Sequence, residues 1–218
     1  HMKTNKRAIW DLVSKNQKRF QELADKVWST PETCYSEQNS MNAHVDELIY
    51  HGFSVTKGIA NIPTAVVGEY GTDGPIIAFL GEYDALAGLS QKADVFHQDP
   101  VKKGENGHGC GHNLLGSASM QAAVALKEWL KDSNLPGVVR YYGCPAEEGG
   151  AAKTFMVRDK IFKDVDVAIT WHPGCLPGIV KGSSLANCRV DFTFEGRASH
   201  AAVSPHLGRS ALDAIELM

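Results

Sequence analysis

Apolar residues recur every three to four positions near the start of the chain, which is the spacing of an amphipathic helix. The pattern predicts a long helix over 6–28, ended by Thr30-Pro31, and a second helix over 37–51, ended by Gly52.

The spacing then changes to short, continuous apolar runs, which are typical of strands buried on both faces. These runs predict five strands, at 53–56, 64–67, 76–80, 138–142 and 165–171, with a helix over about 114–131 before the fourth. Strands that alternate with helices indicate an α/β fold with a mostly parallel central sheet flanked by helices.

A third pattern begins after Pro177. Strict alternation over 189–195 predicts a half-exposed antiparallel strand, and an apolar stripe predicts a helix from about residue 207 that reaches the last residue. We therefore predict two domains, 3–182 and the beginning of a second over 183–218. His1 and Met2 are interpreted as a remnant of an expression tag.

Composition narrows the class of partner. The chain has 218 residues, 43% hydrophobic and 22% charged, with a formal net charge of −3. These values are ordinary for a globular protein with a sizeable core. Without a basic stripe or a long apolar run, the sequence predicts a cytoplasmic protein that binds neither nucleic acid nor a membrane. Five cysteines without a C-x-x-C pair indicate neither a disulfide framework nor a zinc knuckle.

The densest chemical signal is the segment 107–113 (GHGCGHN), which presents Cys110 and His112 two residues apart. A thiolate and an imidazole are both zinc ligands, and the glycines allow the tight turn that would point them at one ion. The same segment also fits a glycine-rich turn with incidental polar residues.

Two of the predicted strands are followed by further candidate groups. Glu147 and Glu148 follow the fourth strand and His172 follows the fifth, and α/β sheets place their sites at such ends. One glutamate can bind a cation while the other passes a proton from water to a leaving group. Taken singly, the glutamates also fit a solvated pair at a helix start, and His172 a structural histidine.

The combined set is more specific than its parts. It comprises a thiolate, two imidazoles and a carboxylate, a donor set suited to zinc or manganese: Cys110, His112, Glu148 and His172. Asp84 follows the third strand, where it would accept the second ring N–H of a metal-bound histidine or form an ordinary turn. His200 lies beyond the first domain and by position is a surface histidine.

Five ordered motifs together resemble the dinuclear-metal aminoacylase and carboxypeptidase superfamily. They are GEYDALAG (81–88), GHGCGHN (107–113), PAEEGG (145–150), WHP (171–173) and GRASHAAVSPHLGRSALDA (196–214). They are most similar to the amidohydrolase branch that contains auxin-conjugate hydrolases and N-acyl amino-acid amidohydrolases. Within that branch, GEYDALAGLSQ, GENGHGCGHNLLG and TFMV are typical of the subgroup acting on p-aminobenzoyl-glutamate.

The resemblance implies a zinc-exopeptidase-like catalytic domain followed by the start of an α+β lid or dimerisation domain. It implies two divalent ions, zinc or manganese, bound by the four residues of the set above, with Glu147 as general base and acid. It also implies that Asp84 orients a ligand and that His200 binds the substrate or stabilises its transition state. The implied assembly is a homodimer, or a heterodimer with a homologous A-type subunit.

Two departures qualify this expectation. Asn113 stands where the wider branch commonly has aspartate, in a position that orients a ligand. The family's fifth metal ligand, a histidine near the end of a chain about twice as long, has no counterpart here. The sequence therefore predicts an amidohydrolase of p-aminobenzoyl-glutamate, with three alternatives: a hydrolase of another N-acyl amino acid or dipeptide, a non-catalytic partner subunit, or an inactive truncated fragment.

Overall fold

The computed structural model describes residues 2–218, with side chains from Asn5 onward, so His1 of the interpreted tag remnant lies outside it. The chain divides into two compact units, one extending to Cys175 and one comprising Leu176–Met218. The sequence places its boundary between residues 182 and 183, and the assignment of the second part to a lid domain stays a prediction.

Helices and strands alternate through the first unit. In chain order they are α1 (Met2–Lys15), α2 (Gln17–Trp28), α3 (Gln38–Tyr50), β1 (Ser54–Lys57), β2 (Val66–Tyr70), β3 (Ile76–Gly81), α4 (His112–Asp132), β4 (Val138–Gly143), α5 (Ala152–Arg158) and β5 (Val167–Ile169). The second unit contains α6 (Ala211–Glu216). One-turn 3-10 helices occur at Ile59–Asn61 and Pro205–Leu207.

The five strands form one sheet in the order β1-β2-β4-β3-β5. β3 runs parallel to both β4 and β5, whereas the β1–β2 and β2–β4 pairs are antiparallel. The predicted α/β class is confirmed, and the sheet is mixed. Only β3, β4 and β5 are joined through helices long enough for parallel crossovers, while the short segment 58–65 turns β1 back onto β2.

Each face of the sheet carries a hydrophobic cluster. Helices α2, α3 and α4 cover one face, with buried Phe20, Leu48, Met120, Val124 and Tyr141. The α5 side buries Ala152 and Met156 against Tyr142 and Cys144. Because β3 and β4 are covered on both faces, their sequences are apolar except for Arg140, which pairs with Glu69 and Asp164. The predicted burial on both faces is wrong for the edge strands β1 and β5, which are largely exposed.

The direction of the parallel strands determines at which edge of the sheet a functional site can form. The carboxyl ends of β3, β4 and β5 lie at one edge of the sheet, so the segments after Gly81, Gly143 and Ile169 emerge together. α4 begins at the same edge and packs against β3 and β4. Glycine at position 116 permits this packing, because a Cβ there would lie 2.3 Å from the carbonyl oxygen of Glu82.

Four elements differ from the sequence prediction. The helix predicted from about residue 207 to the last residue is the shorter α6, Ala211–Glu216. The helix over 6–28 is two helices, because Asn16 has φ −103° and ψ 5° and asparagine is a poor residue for a helix interior. The apolar pattern does not predict α5, since its seven residues follow a glycine pair. The strand over 189–195 is wrong: no described residue pairs with it, and a strand forms only against a partner.

No helix in the described part of the chain is long and apolar enough to cross a membrane. The cytoplasmic location stays a prediction.

The loop between α2 and α3 connects to the turn after β4 and to Thr64, which precedes β2. Glu37 is fully buried, and its carboxylate accepts hydrogen bonds from the Ala146 N–H at 2.8 Å and the Thr64 hydroxyl at 3.1 Å. The Tyr35 hydroxyl donates to the Gly150 carbonyl, so the loop holds the Glu147-Glu148 turn near both of its ends. Burial raises the pKa of Glu37, and its hydrogen bonds partly offset that effect.

We expect Glu37→Ala to destabilise the chain by about 2–6 kcal/mol, because two buried donors lose their acceptor at about 1–3 kcal/mol each. The measurement is the free energy of unfolding in urea. Thr64→Val is the matched control, since it removes one of the two donors and leaves the Ala146 bond intact. Equal losses in the two variants would show that Glu37 does not hold the turn.

A second prediction concerns acid stability. His44 is fully buried beside Tyr83 and Tyr141, and its Nδ1 lies 2.7 Å from the Tyr141 hydroxyl. Burial lowers the pKa of His44 to about 3, against a smaller opposing effect of Glu47. The unfolded chain therefore binds a proton at this residue below about pH 6.5 that the folded chain does not. Stability contributed by neutral His44 is lost as the pH falls, by about 1.4 kcal/mol per pH unit between pH 6 and 4.

Urea unfolding at several pH values measures this slope. In His44→Gln, which cannot titrate, we expect the slope over that range to be smaller by that amount. Identical slopes in the two proteins would contradict the burial argument.

Candidate metal centre

Four segments supply the side chains of the candidate site. Asp84 follows β3, Glu147 and Glu148 follow β4, and His172 follows β5. The fourth segment precedes α4, whose N-cap Gly111 has φ +79°, a left-handed conformation that favours glycine. This turn lies between Cys110 and His112, and it separates the thiol in the loop from the imidazole in the first turn of the helix.

Asp84 holds two of these groups at once. Its Oδ1 lies 2.8 Å from His112 Nδ1, and its Oδ2 accepts the Glu148 backbone N–H at 2.9 Å. The Asp84 and His112 side chains are both inaccessible, at 1% and 0% exposure. Because Nδ1 faces the Asp84 carboxylate and its carbonyl, the other ring nitrogen, Nε2, is directed away from Asp84.

The pKa values of this pair reflect their contact. Burial alone would raise the pKa of Asp84, but the hydrogen bonds from His112 and the Glu148 N–H lower it overall. Burial would lower the pKa of His112, and the hydrogen bond and charge of Asp84 raise it overall. Both shifts favour an ionised carboxylate paired with a protonated imidazole, whose Nε2 proton a bound metal ion would replace.

Cys110 and His172 form the other half of the site. The Cys110 Sγ lies 3.3 Å from His172 Nε2, and His172 Nδ1 lies 2.9 Å from the Pro173 carbonyl oxygen. Since a carbonyl only accepts, Nδ1 carries the proton and Nε2 presents its lone pair to the thiol. The donor atoms of Cys110, His112 and His172 all lie within 4.8 Å of one another.

Three carboxylates surround His112 Nε2. The nearest oxygens lie at 3.1 Å for Glu82, 3.6 Å for Glu147 and 3.8 Å for Glu148. Ala146, which precedes the pair, has φ +55°, so the turn that presents the two glutamates is a left-handed one. The donor atoms of Glu82, His112 and Glu147 form a second group within 4.8 Å.

This crowding makes the site strongly negative. The pKa of Cys110 is raised to about 12, first by burial and then by the hydrogen bond and charge of Glu148. The pKa of Glu147 is also raised, first by burial and then by the charge of Glu82. Both shifts show that the site disfavours further negative charge, which a bound cation would offset.

The site also contains buried polar atoms that find no hydrogen-bond partner among residues 5–218: His112 Nε2, Glu82 Oε2 and Glu148 Oε1. Buried polar atoms normally have partners, and two unpaired carboxylate oxygens within 3.8 Å of an unpaired ring nitrogen suit a cation. Thiol, imidazole and carboxylate donors are ligands of zinc and manganese. The residues present therefore fit a divalent metal ion.

The remaining predicted site residues lie outside this cluster. The Asn113 side-chain amide donates to the Ala24 carbonyl at 3.4 Å, a bond that connects α4 to α2. His200 belongs to the second unit, where its Nδ1 accepts the backbone N–H groups of Ala202 and Val203, each at 3.2 Å.

Sequence reasoning missed Glu82 and Lys153. Lys153 on α5 forms an ion pair with Glu82, in which its ammonium donates to Oε1. Glu82 lies two residues before Asp84 after the same buried strand, so its position at a strand end was a usable signal. Nothing in the sequence indicates that Lys153, 71 positions away, would contact it.

No family model matches the chain. The chain is 51% identical over 212 residues to the B subunit of p-aminobenzoyl-glutamate hydrolase from Escherichia coli (strain K12), covering 97% of the chain and 44% of that protein. It is 35% identical over 155 residues to the A subunit of the same enzyme, covering 66% of the chain and 35% of that protein. The chain thus spans less than half the length of these relatives.

Among solved structures, a dinuclear metal-binding peptidase of the M20 family from Bacillus subtilis superposes with a TM-score of 0.55 at 22% identity. The match covers 70% of this chain and 42% of that one, and it shows a shared fold. The family resemblance drawn from the motifs is confirmed. The chain belongs to the family of the p-aminobenzoyl-glutamate hydrolase subunits, and it has the fold of the M20 peptidases.

Proposed function

We propose that this chain carries the metal-binding part of a metal-dependent amide hydrolase acting on N-acyl amino acids. One observation carries the proposal: donor atoms of Cys110, His112 and His172 converge within 4.8 Å, with Glu147 and Glu148 beside them. A purely structural metal site has no use for an additional, half-exposed carboxylate, so the presence of Glu147 favours catalysis over a merely structural centre.

Four residues would hold the metal: Cys110, His112, Glu148 and His172. We propose two divalent ions in the complete site. The thiolate favours zinc, and the carboxylates admit manganese. When bound, such ions lower the pKa of a coordinated water and polarise a carbonyl group.

Glu147 is proposed as general base and acid. Its side chain is 45% exposed, whereas that of Glu148 is 18% exposed, so Glu147 is the member of the pair that a substrate can reach. Its carboxylate takes a proton from the attacking water as the oxygen bonds to the amide carbon. The same proton passes to the nitrogen as the C–N bond breaks, which releases a carboxylic acid and an amine.

Asp84 acts through His112 and Glu148. By holding the ring through Nδ1 it fixes the direction of Nε2, and by accepting the Glu148 N–H it fixes the turn that presents both glutamates. The roles proposed for Asn113, in orienting a ligand, and for His200, in stabilising the oxyanion of the substrate, rest on the family resemblance.

The proposed substrate is p-aminobenzoyl-glutamate, cleaved to p-aminobenzoate and glutamate. Half of the chain's residues are identical to those of a protein named for that reaction, which supports this substrate over another N-acyl amino acid or a dipeptide. Similarity to both the B-type and the A-type subunits supports assembly as a homodimer, or as a heterodimer with an A-type partner.

Two variants test the assignment of Cys110 as a metal ligand and of Glu147 as the general base. We expect Cys110→Ser to lose most of its bound metal, because the serine hydroxyl is a poor zinc ligand at neutral pH. We expect Glu147→Ala to keep its metal and to lose at least about 100-fold in turnover, a loss typical of a missing general base. Metal content is measured by mass spectrometry after dialysis.

Turnover is measured as release of p-aminobenzoate, by this chain and by a polypeptide extended to the length of its relatives. Cys188→Ser, which changes an exposed thiol in the second unit, is the matched control and should match the unmodified protein. Metal loss in Glu147→Ala as large as in Cys110→Ser would refute the base assignment. A wild-type chain that binds no zinc or manganese would refute the proposed function.

A further inference from the structure

Glu82 is a buried carboxylate that the proposed mechanism does not use. It directly follows β3, it is 7% exposed, and its Oε1 accepts the ammonium group of Lys153. Its backbone is also fixed, because α4 approaches the Glu82 carbonyl too closely for any residue but glycine at position 116. Glu82 is therefore held rigidly at both its main chain and one carboxylate oxygen.

The other oxygen of Glu82 is left facing His112. Oε2 lies 3.1 Å from His112 Nε2, yet neither atom has a hydrogen-bond partner in the described part of the chain. The two atoms are therefore close without being aligned as donor and acceptor. In the neutral ring the proton resides on Nδ1, against Asp84, so Nε2 and Oε2 present lone pairs to each other.

Two facing lone pairs repel unless a proton or a metal ion lies between them, and a histidine that binds a metal gives up its proton at the ligating nitrogen. Two donors that each lie about 2.0–2.2 Å from one zinc ion in tetrahedral geometry are separated by roughly 3.3–3.6 Å. The observed 3.1 Å is only a few tenths of an ångström shorter. An ion bound by His112 would thus have Glu82 Oε2 within reach after a small shift of either side chain.

We infer that Glu82 is a further metal ligand, which binds through Oε2 the ion that His112 binds through Nε2. This inference rests on the proposed function, because it adds a ligand to the same centre. Two other carboxylates lie near Nε2. Glu148 is already a proposed ligand, whereas Glu147 is half-exposed, which suits a mobile proton carrier better than a ligand. Lys153 acts as a positioning residue that fixes the Glu82 carboxylate.

The added oxygen donor has a consequence for metal choice. Carboxylates suit manganese, whereas thiolates favour zinc. Removal of Glu82 should therefore weaken manganese binding more than zinc binding.

The test is Glu82→Gln, in which the amide oxygen can still accept from Lys153 while the side chain loses its charge. We expect its manganese affinity, from competition with a chelator, to fall by about tenfold or more, with a smaller loss for zinc. X-ray absorption of the zinc-loaded chain should show one oxygen neighbour fewer. Circular dichroism and the melting temperature report folding, and Glu82→Asp, which withdraws the carboxylate by one methylene, replaces Glu82→Gln if the latter fails to fold.

Glu69→Gln is the matched control. Glu69 also pairs with a cation, Arg140, but it lies on β2 outside the site, so its loss should leave metal affinity unchanged. If Glu82→Gln bound metal with unchanged affinity and unchanged number of oxygen neighbours, while the unmodified chain bound metal normally, the inference would be overturned. The proposed function would then stay intact. A fall in affinity with an unchanged neighbour count would also overturn it, because Glu82 would then act only through its charge. Absence of metal in the unmodified chain would instead overturn the proposed function.

Discussion

The Asp84 carboxylate is the contact on which the site depends. One oxygen fixes the His112 ring and the other accepts the Glu148 N–H, so a single buried group joins the segments after β3 and β4 to the start of α4. Because Asp84 is 1% exposed, water does not compete for these bonds, and their geometry is maintained by the surrounding core.

Asp84 can contact both His112 and Glu148 because the sheet brings their segments to one edge. Parallel β3 and β4 place the residues after Gly81 and Gly143 side by side, and β5 adds His172 at the same edge. The antiparallel β1 and β2 extend the sheet on the far side of β4 and contribute no residue to the cluster among the described contacts. The parallel strands therefore position the residues of the candidate site, while the antiparallel strands only widen the sheet.

Spacing along the chain made part of this arrangement predictable. Continuous apolar runs located β3 and β4, and the rule that α/β sites lie at strand ends selected Glu148 and His172. Contacts that spacing does not encode were missed. Glu37 accepts a hydrogen bond from a residue 109 positions away, and Lys153 meets Glu82 across 71 positions. An acidic residue is ordinarily exposed, and no local pattern marks these glutamates as buried.

Glu82 and Lys153 contribute to the electrostatics of the site. Four carboxylates lie near His112, and Lys153 is the ammonium group paired with one of them. Such crowding is unfavourable in a buried position, and it adds to burial, the larger cause, in raising the pKa values of Cys110 and Glu147. The fold nevertheless holds the groups together, through Asp84 on His112, Glu37 on the glutamate turn and Lys153 on Glu82. The repulsion is therefore present before any cation binds, and a divalent ion entering the site would relieve it without having to gather the ligands.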